Sequence, residues 1–117
     1  MIEPALIPQV AARFKALADP GRLELLAILQ QGEATVGELA EATGRNQPNV
    51  SQHLASLARA GLVGSRRDGH HVIYRIADPF VLRICDVVCT RLHQEWDAAQ
   101  PTRRKAAHRK ASEVRRG

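Results

Sequence analysis

Twelve residues of this chain, Arg45 to Ser56 (RNQPNVSQHLAS), are dense in groups that carry a hydrogen-bond donor and an acceptor together. Carboxamides of this kind pair bidentately with the edge of adenine, while hydroxyl and imidazole groups read base edges more permissively. Gln47, Asn49, Ser51 and Gln52 crowd the first turn and a half of the helix that this segment forms, the part of a recognition helix that meets base edges. Arg45, His53 and Ser56 accompany them. Further on, Arg66 and Arg67 stand together before an Asp68–Gly69 turn, with His70 and His71 beyond it. Guanidinium groups there suit phosphates or an adjacent minor groove. Histidine changes charge near neutral pH, so such a hairpin would bind DNA more strongly under mildly acidic conditions. Any exposed helix face is polar. This one, however, lacks Glu and Lys, the commonest solubilising choices, and a basic hairpin follows it at once.

A second chemistry lies at Cys85 and Cys89, one helical turn apart, with His93 continuing the same i+4 series. Residues so spaced face the same way, so two thiolates can chelate one ion, as two His do in a zinc-binding helix. Cys85, Cys89 and His93 would supply three donors along one edge, and their softness favours As(III), Sb(III), Cd(II), Hg(II) or Zn(II) over hard cations. The same thiols could instead sense oxidation or reactive sulfur. They could also be plain packing, since free cysteine is among the most buried residue types. Two cysteines make no disulfide framework.

The elements that must hold these groups can be read from caps and periodicity. Pro8 to Ala18 carries a helical stripe through Val10, Phe14, Leu17 and Ala18. Asp19 caps a second helix with Pro20 at its first position, and Gly32 ends it; Leu23, Leu26, Ile28 and Leu29 form its buried face. Thr35 and Glu38 make a capping box for a short third helix that stops at Gly44. The fourth helix begins near Asn46, buries Val50, Leu54, Leu57 and Ala58, and stops at Gly61. Leu62–Arg67 and Val72–Ile76 pair as a hairpin. Asp78–Pro79 starts a last helix that reaches about Ala98. On it Val81, Cys85, Val88, Leu92 and Trp96 line one wide apolar stripe, which a symmetric dimer would cover, with Val10 and Phe14 of the first helix contributing.

The reading is therefore a mainly α protein with a small β-hairpin wing: five helices in a winged helix-turn-helix, homodimeric through its N- and C-terminal helices. Residues 1–98 form the DNA-binding and dimerisation domain, and residues 99–117 a basic, flexible tail. Residues 101–117 hold seven Lys/Arg against one acid, a net +6, whereas the first hundred residues hold ten against eleven, a net −1. Basic character thus belongs to the tail, where it would add phosphate contacts. No run approaches the roughly 18 apolar residues of a membrane span, and the start lacks a charged leader, so a cytoplasmic location is expected. A Gly-rich phosphate loop, paired carboxylates and a nucleophile elbow are all missing, which excludes the familiar enzyme classes. A winged helix used for protein docking would present an apolar front, and this front is polar.

Several separated motifs in order carry a resemblance: Leu17-Ala-Asp-Pro-Gly-Arg22, Asn49-Val-Ser-Gln-His-Leu54, Ala60-Gly-Leu-Val63, Arg66-Arg-Asp-Gly69 and Tyr74-Arg-Ile-Ala-Asp78. Over residues 10–97 the chain resembles the arsenic-repressor (ArsR/SmtB) family of small bacterial sensors. The resemblance implies a repressor that binds a palindromic double-stranded DNA operator as a homodimer and is released by an effector. It places Gln47, Ser51 and Gln52 at DNA-contacting positions, with Pro48 replacing a common Ser. It also implies effector sites that this chain lacks. Phe80 and Arg91 stand where the family's zinc-binding histidines would be, although Asp78 is kept. Val36–Thr43 has no Cys-x-Cys pair, and residues 20–31 have no cysteine to partner one on the last helix. Cys85 and Cys89 remain.

Overall fold

The computed structural model describes residues 1–99; the expected basic tail lies outside the described residues, apart from Ala99. A 3-10 turn (Pro4–Leu6) leads into α1 (Ile7–Leu17), followed by α2 (Pro20–Leu29), a two-residue strand β1 (Ala34–Thr35), α3 (Val36–Thr43), α4 (Gln47–Arg59), the hairpin β2 (Val63–Asp68) and β3 (His71–Ile76), and α5, described from Pro79 to Ala99. Two compact units divide at Val81: the first contains α1–α4 and the sheet, the second begins at Leu82 and contains most of α5.

Short-range chemistry sets the helix ends. Asp19 accepts a hydrogen bond from the Arg22 amide at 3.0 Å and starts α2. Arg22 in turn donates from Nε to the Ala16 carbonyl (2.7 Å) and from Nη2 to that of Lys15 (2.9 Å), closing the end of α1. One Asp-Pro-Gly-Arg stretch thus begins one helix and finishes another. Thr35 and Glu38 form the reciprocal capping box, with the Glu38 carboxylate on the Thr35 amide at 3.0 Å. Gly44, at φ 71°, turns the chain out of α3, a left-handed conformation that favours glycine. Asn46 then accepts from the Asn49 amide at 2.8 Å and caps α4.

The core of the first unit is aliphatic. Leu25, Leu39, Val50, Leu54 and Leu57 are fully buried, joined by Leu26, Leu29, Leu62 and Val63. α2 turns Leu25 inward where Leu23 was expected; Leu23 lies 40% exposed. Leu25, Leu26 and Leu29 make a tighter i, i+1, i+4 face, and tertiary packing selects it. Ala58 is likewise exposed, so α4 buries a narrower strip than its periodicity implies.

The sheet has three antiparallel strands in the order β1-β3-β2. β1 was not foreseen. It pairs Ala34 with Tyr74 and Thr35 with Ile73. Thr35 serves two roles because a helix cap has extended dihedrals, here φ −83° and ψ 164°, that a strand shares. The hairpin runs in register from Val63↔Ile76 to Asp68↔His71, leaving Gly69 and His70 as its loop. Gly69 has φ 63° and His70 a negative φ, which matches a type II′ turn with Gly first.

Candidate nucleic-acid interface

α4 divides lengthwise into three strips. Val50, Leu54 and Leu57 enter the core. Gln47, Ser51 and Gln52 are exposed, and none of their side chains enters a hydrogen bond among the described residues. The third strip, Asn49, His53 and Ser56, is half-buried. It carries three of the residues read from sequence as DNA contacts, and one of them, His53, faces the start of α2.

His53 has a partner within the chain. Its Nε2 lies 3.8 Å from Asp19 Oδ1, and its side chain is 17% exposed. The position follows from spacing, since residue 53 lies one turn beyond Asn49 on the flank beside α2. Arg45 belongs to the same cluster. Its guanidinium reaches Glu24 of α2 (3.4 Å) and Asn49 (3.5 Å), and its Nε is buried with no hydrogen-bond partner among the described residues. Gly21 makes room for this gathering: a Cβ there would lie 2.8 Å from His53 Nε2, 3.0 Å from Arg45 Cζ and 3.1 Å from Asp19 Oδ1. The Arg22 amide, foremost, with His53 and Arg22 charge, holds the Asp19 carboxyl below the usual carboxylate range. These groups fix α4 against α2. Ser56 is turned inward on its own helix, donating to the Gln52 carbonyl (3.3 Å) and accepting from Arg59 (3.1 Å). Sequence reasoning passed over Arg59, exposed on the outer side of α4.

The wing arginines alternate. Arg67 shares a sheet face with Val72, whereas Arg66 shares the other with Ile73. Arg66 Nη1 is 2.8 Å from Glu33 Oε2, an ion pair between side chains that are both about half exposed. His70 occupies the turn and His71 begins β3, both exposed. His71 lies near enough to Glu38 to favour its ionised form, behind the larger effects of the Thr35 amide and hydroxyl, which hold that carboxyl below its usual range.

On α5, Cys85 is half-buried and Cys89 exposed. Burial first, then Cys89 and Asp86, push the Cys85 thiol above its ordinary pKa. The expected third donor is not in place: among the described residues no three His, Cys, Asp or Glu side chains gather closely enough to hold one metal ion. Eight residues of helix separate Cys85 from His93, about 12 Å of rise, too far for one ion to bridge. Of the expected dimer residues, Phe14, Val88, Leu92 and Trp96 are exposed, and Val10 is half-buried. Val81, 7% exposed, is already covered within the chain. Phe80, Ile84 and Val87 are exposed apolar residues outside the expected dimer set. Among the described residues no helix is long and apolar enough to cross a membrane.

Comparison with known proteins agrees with this geometry. Residues 19–65 match the model of the bacterial regulatory protein, arsR family. The chain is 45% identical over 86 residues to a probable mercury resistance operon repressor of Streptomyces lividans, covering 73% of this chain and 66%, just under two thirds, of that protein. It is 40% identical over 80 residues to the biofilm growth-associated repressor of Agrobacterium fabrum, covering 68% of each. Among solved structures it resembles the homodimeric winged helix-turn-helix DNA-binding domain of Mb0332 from Mycobacterium bovis, with a TM-score of 0.73 and 40% identity, covering 80% of this chain and 87% of that one.

Proposed function

This chain belongs to the ArsR family of bacterial regulatory proteins, and on that premise we propose that it is a transcriptional repressor gripping a palindromic operator as a homodimer. The observation that carries the reading is the outer strip of α4: Gln47, Ser51 and Gln52 hold unspent donors and acceptors on a helix otherwise anchored on two sides. The solvent-exposed wing supplies Arg66, Arg67, His70 and His71 beside them. Dimerisation is supported by exposed apolar residues on α5 (Ile84, Val87, Val88, Leu92) and on α1 (Ile7, Phe14). A gel-shift titration with the duplex upstream of the protein's own gene tests the reading. Gln47→Ala and Gln52→Ala should each weaken operator binding by about 1–3 kcal/mol, the value of one bidentate base contact. A parent protein that binds this duplex no better than random DNA would end it.

The effector proposed is a soft ion held by Cys85 and Cys89. With two thiols per chain and no third donor gathered with them among the described residues, the set fits Hg(II), which two thiolates satisfy, better than Zn(II), which takes four ligands. Similarity to a mercury resistance repressor supports the same choice. Burial and its neighbours push the Cys85 thiol above its ordinary pKa, which lowers the thiolate fraction that peroxide or persulfide chemistry draws on, whereas a soft ion displaces the proton. An ion that prefers the DNA-free dimer would weaken operator binding through linkage, typically by about 1–3 kcal/mol. Titrating operator complexes with Hg(II), Cd(II), Zn(II), As(III) and Sb(III) tests this, with Cys85→Ser/Cys89→Ser as the insensitive control. An unmoved parent refutes the ion reading.

A further inference from the structure

Glu33 immediately precedes β1, and Arg66 lies on β2, with β3 between them. The registers Thr35↔Ile73 and Arg66↔Ile73 place these three residues on one face of the sheet, and Glu33, two residues before Thr35, shares it. Arg66 therefore reaches across β3, back from the hairpin tip, to close its 2.8 Å pair with Glu33. Arg67 lies on the opposite face and has no carboxylate within ion-pair distance among the described residues. The arrangement recurs at Arg45, whose guanidinium is held by Glu24 at 3.4 Å.

We propose that Glu33 is a built-in competitor for the DNA phosphate that Arg66 binds. A carboxylate and a phosphate offer the same guanidinium the same pair of acceptor oxygens. In the free protein Glu33 holds that site, and binding exchanges one anion for the other. Arg66 then adds less to DNA affinity than its charge alone would give. This lowers binding to any duplex, since phosphate contacts are independent of sequence. The inference rests on the DNA-binding reading and adds to it a residue that restrains affinity.

The test uses the full chain and a fluorescently labelled random-sequence duplex, so no operator need be known. Binding is measured by anisotropy for the parent, Glu33→Gln, Arg66→Gln and the double variant, with thermal unfolding confirming that each is folded. Glu33→Gln should tighten binding about two- to fivefold, the range set by an exposed ion pair, and the gain should narrow as salt screens it. The same substitution in the Arg66→Gln background should change nothing. If Glu33→Gln tightens binding equally in both backgrounds, the effect is general charge repulsion and the proposal falls. If it weakens binding, Glu33 positions Arg66 for phosphate and the proposal also falls. A parent that binds no duplex would remove the DNA reading itself, whereas a binding parent without coupling removes only this inference.

Discussion

Adjacent residues on α4 have opposite surroundings, and the difference is measurable. Gln52 is exposed with its amide unspent, whereas His53 is turned toward Asp19. Gln52→Ala should reduce operator affinity and leave urea unfolding unchanged. His53→Ala should lower stability by about 0.5–3 kcal/mol, the ordinary range for losing a half-buried contact, and alter DNA affinity only through the pose of α4. Asp19 and Glu38 predict an acid limb. Both carboxyls are held below their ordinary values of 3.8 and 4.5, so their ionised forms favour the folded state. That contribution is complete above the ordinary values and is lost as pH falls through the lower, folded ones. Asp19→Asn and Glu38→Gln should therefore flatten the fall in stability on acidification below those values, read by denaturation at stepped pH. At Cys85 the direction reverses. Its raised thiol pKa and partial burial predict slower alkylation than at Cys89 near neutral pH, measured by mass spectrometry on single-cysteine variants.

Among elements, those fixed by neighbouring residues were legible in the sequence. The Asp19 cap, the Thr35/Glu38 box and the Gly44 stop depend on side chains within a few positions of the groups they satisfy. Substituting the Asn46 cap of α4 by Ala should cost about 1 kcal/mol by the same local logic. Features decided by distant segments were not legible. Whether α2 buries Leu23 or Leu25 depends on α3 and α4 filling the other side, and the flank of α4 that carries His53 faces inward because α2 begins there. β1 is two residues long and gains its identity from β3, so no period announces it. The hairpin was foreseen, but its loop is Gly69–His70, so His70 belongs to the turn and not to a strand. Of the candidate site, the exposed strip and the wing were legible. The attachments of Arg45, His53 and Arg66 to acidic partners were not, because each joins segments far apart in the chain.

At the scale of the whole molecule, the apolar residues of α5 set the expectation. Val87 and Leu92 are 68% and 58% exposed on a helix that also presents Ile84 and Val88. Leu92→Glu should shift sedimentation toward the monomer and abolish high-affinity operator binding, since two half-sites would no longer be engaged together. A protein that sediments as a monomer before substitution would contradict the dimer. The partition of α4 has a further consequence. Its core strip and its α2-facing strip hold the helix in the fold, while the three outward positions, on the proposed reading, would carry the address. Those letters should then be open to rewriting singly, sending the same machine to a new promoter without any part of its scaffold having to be renegotiated.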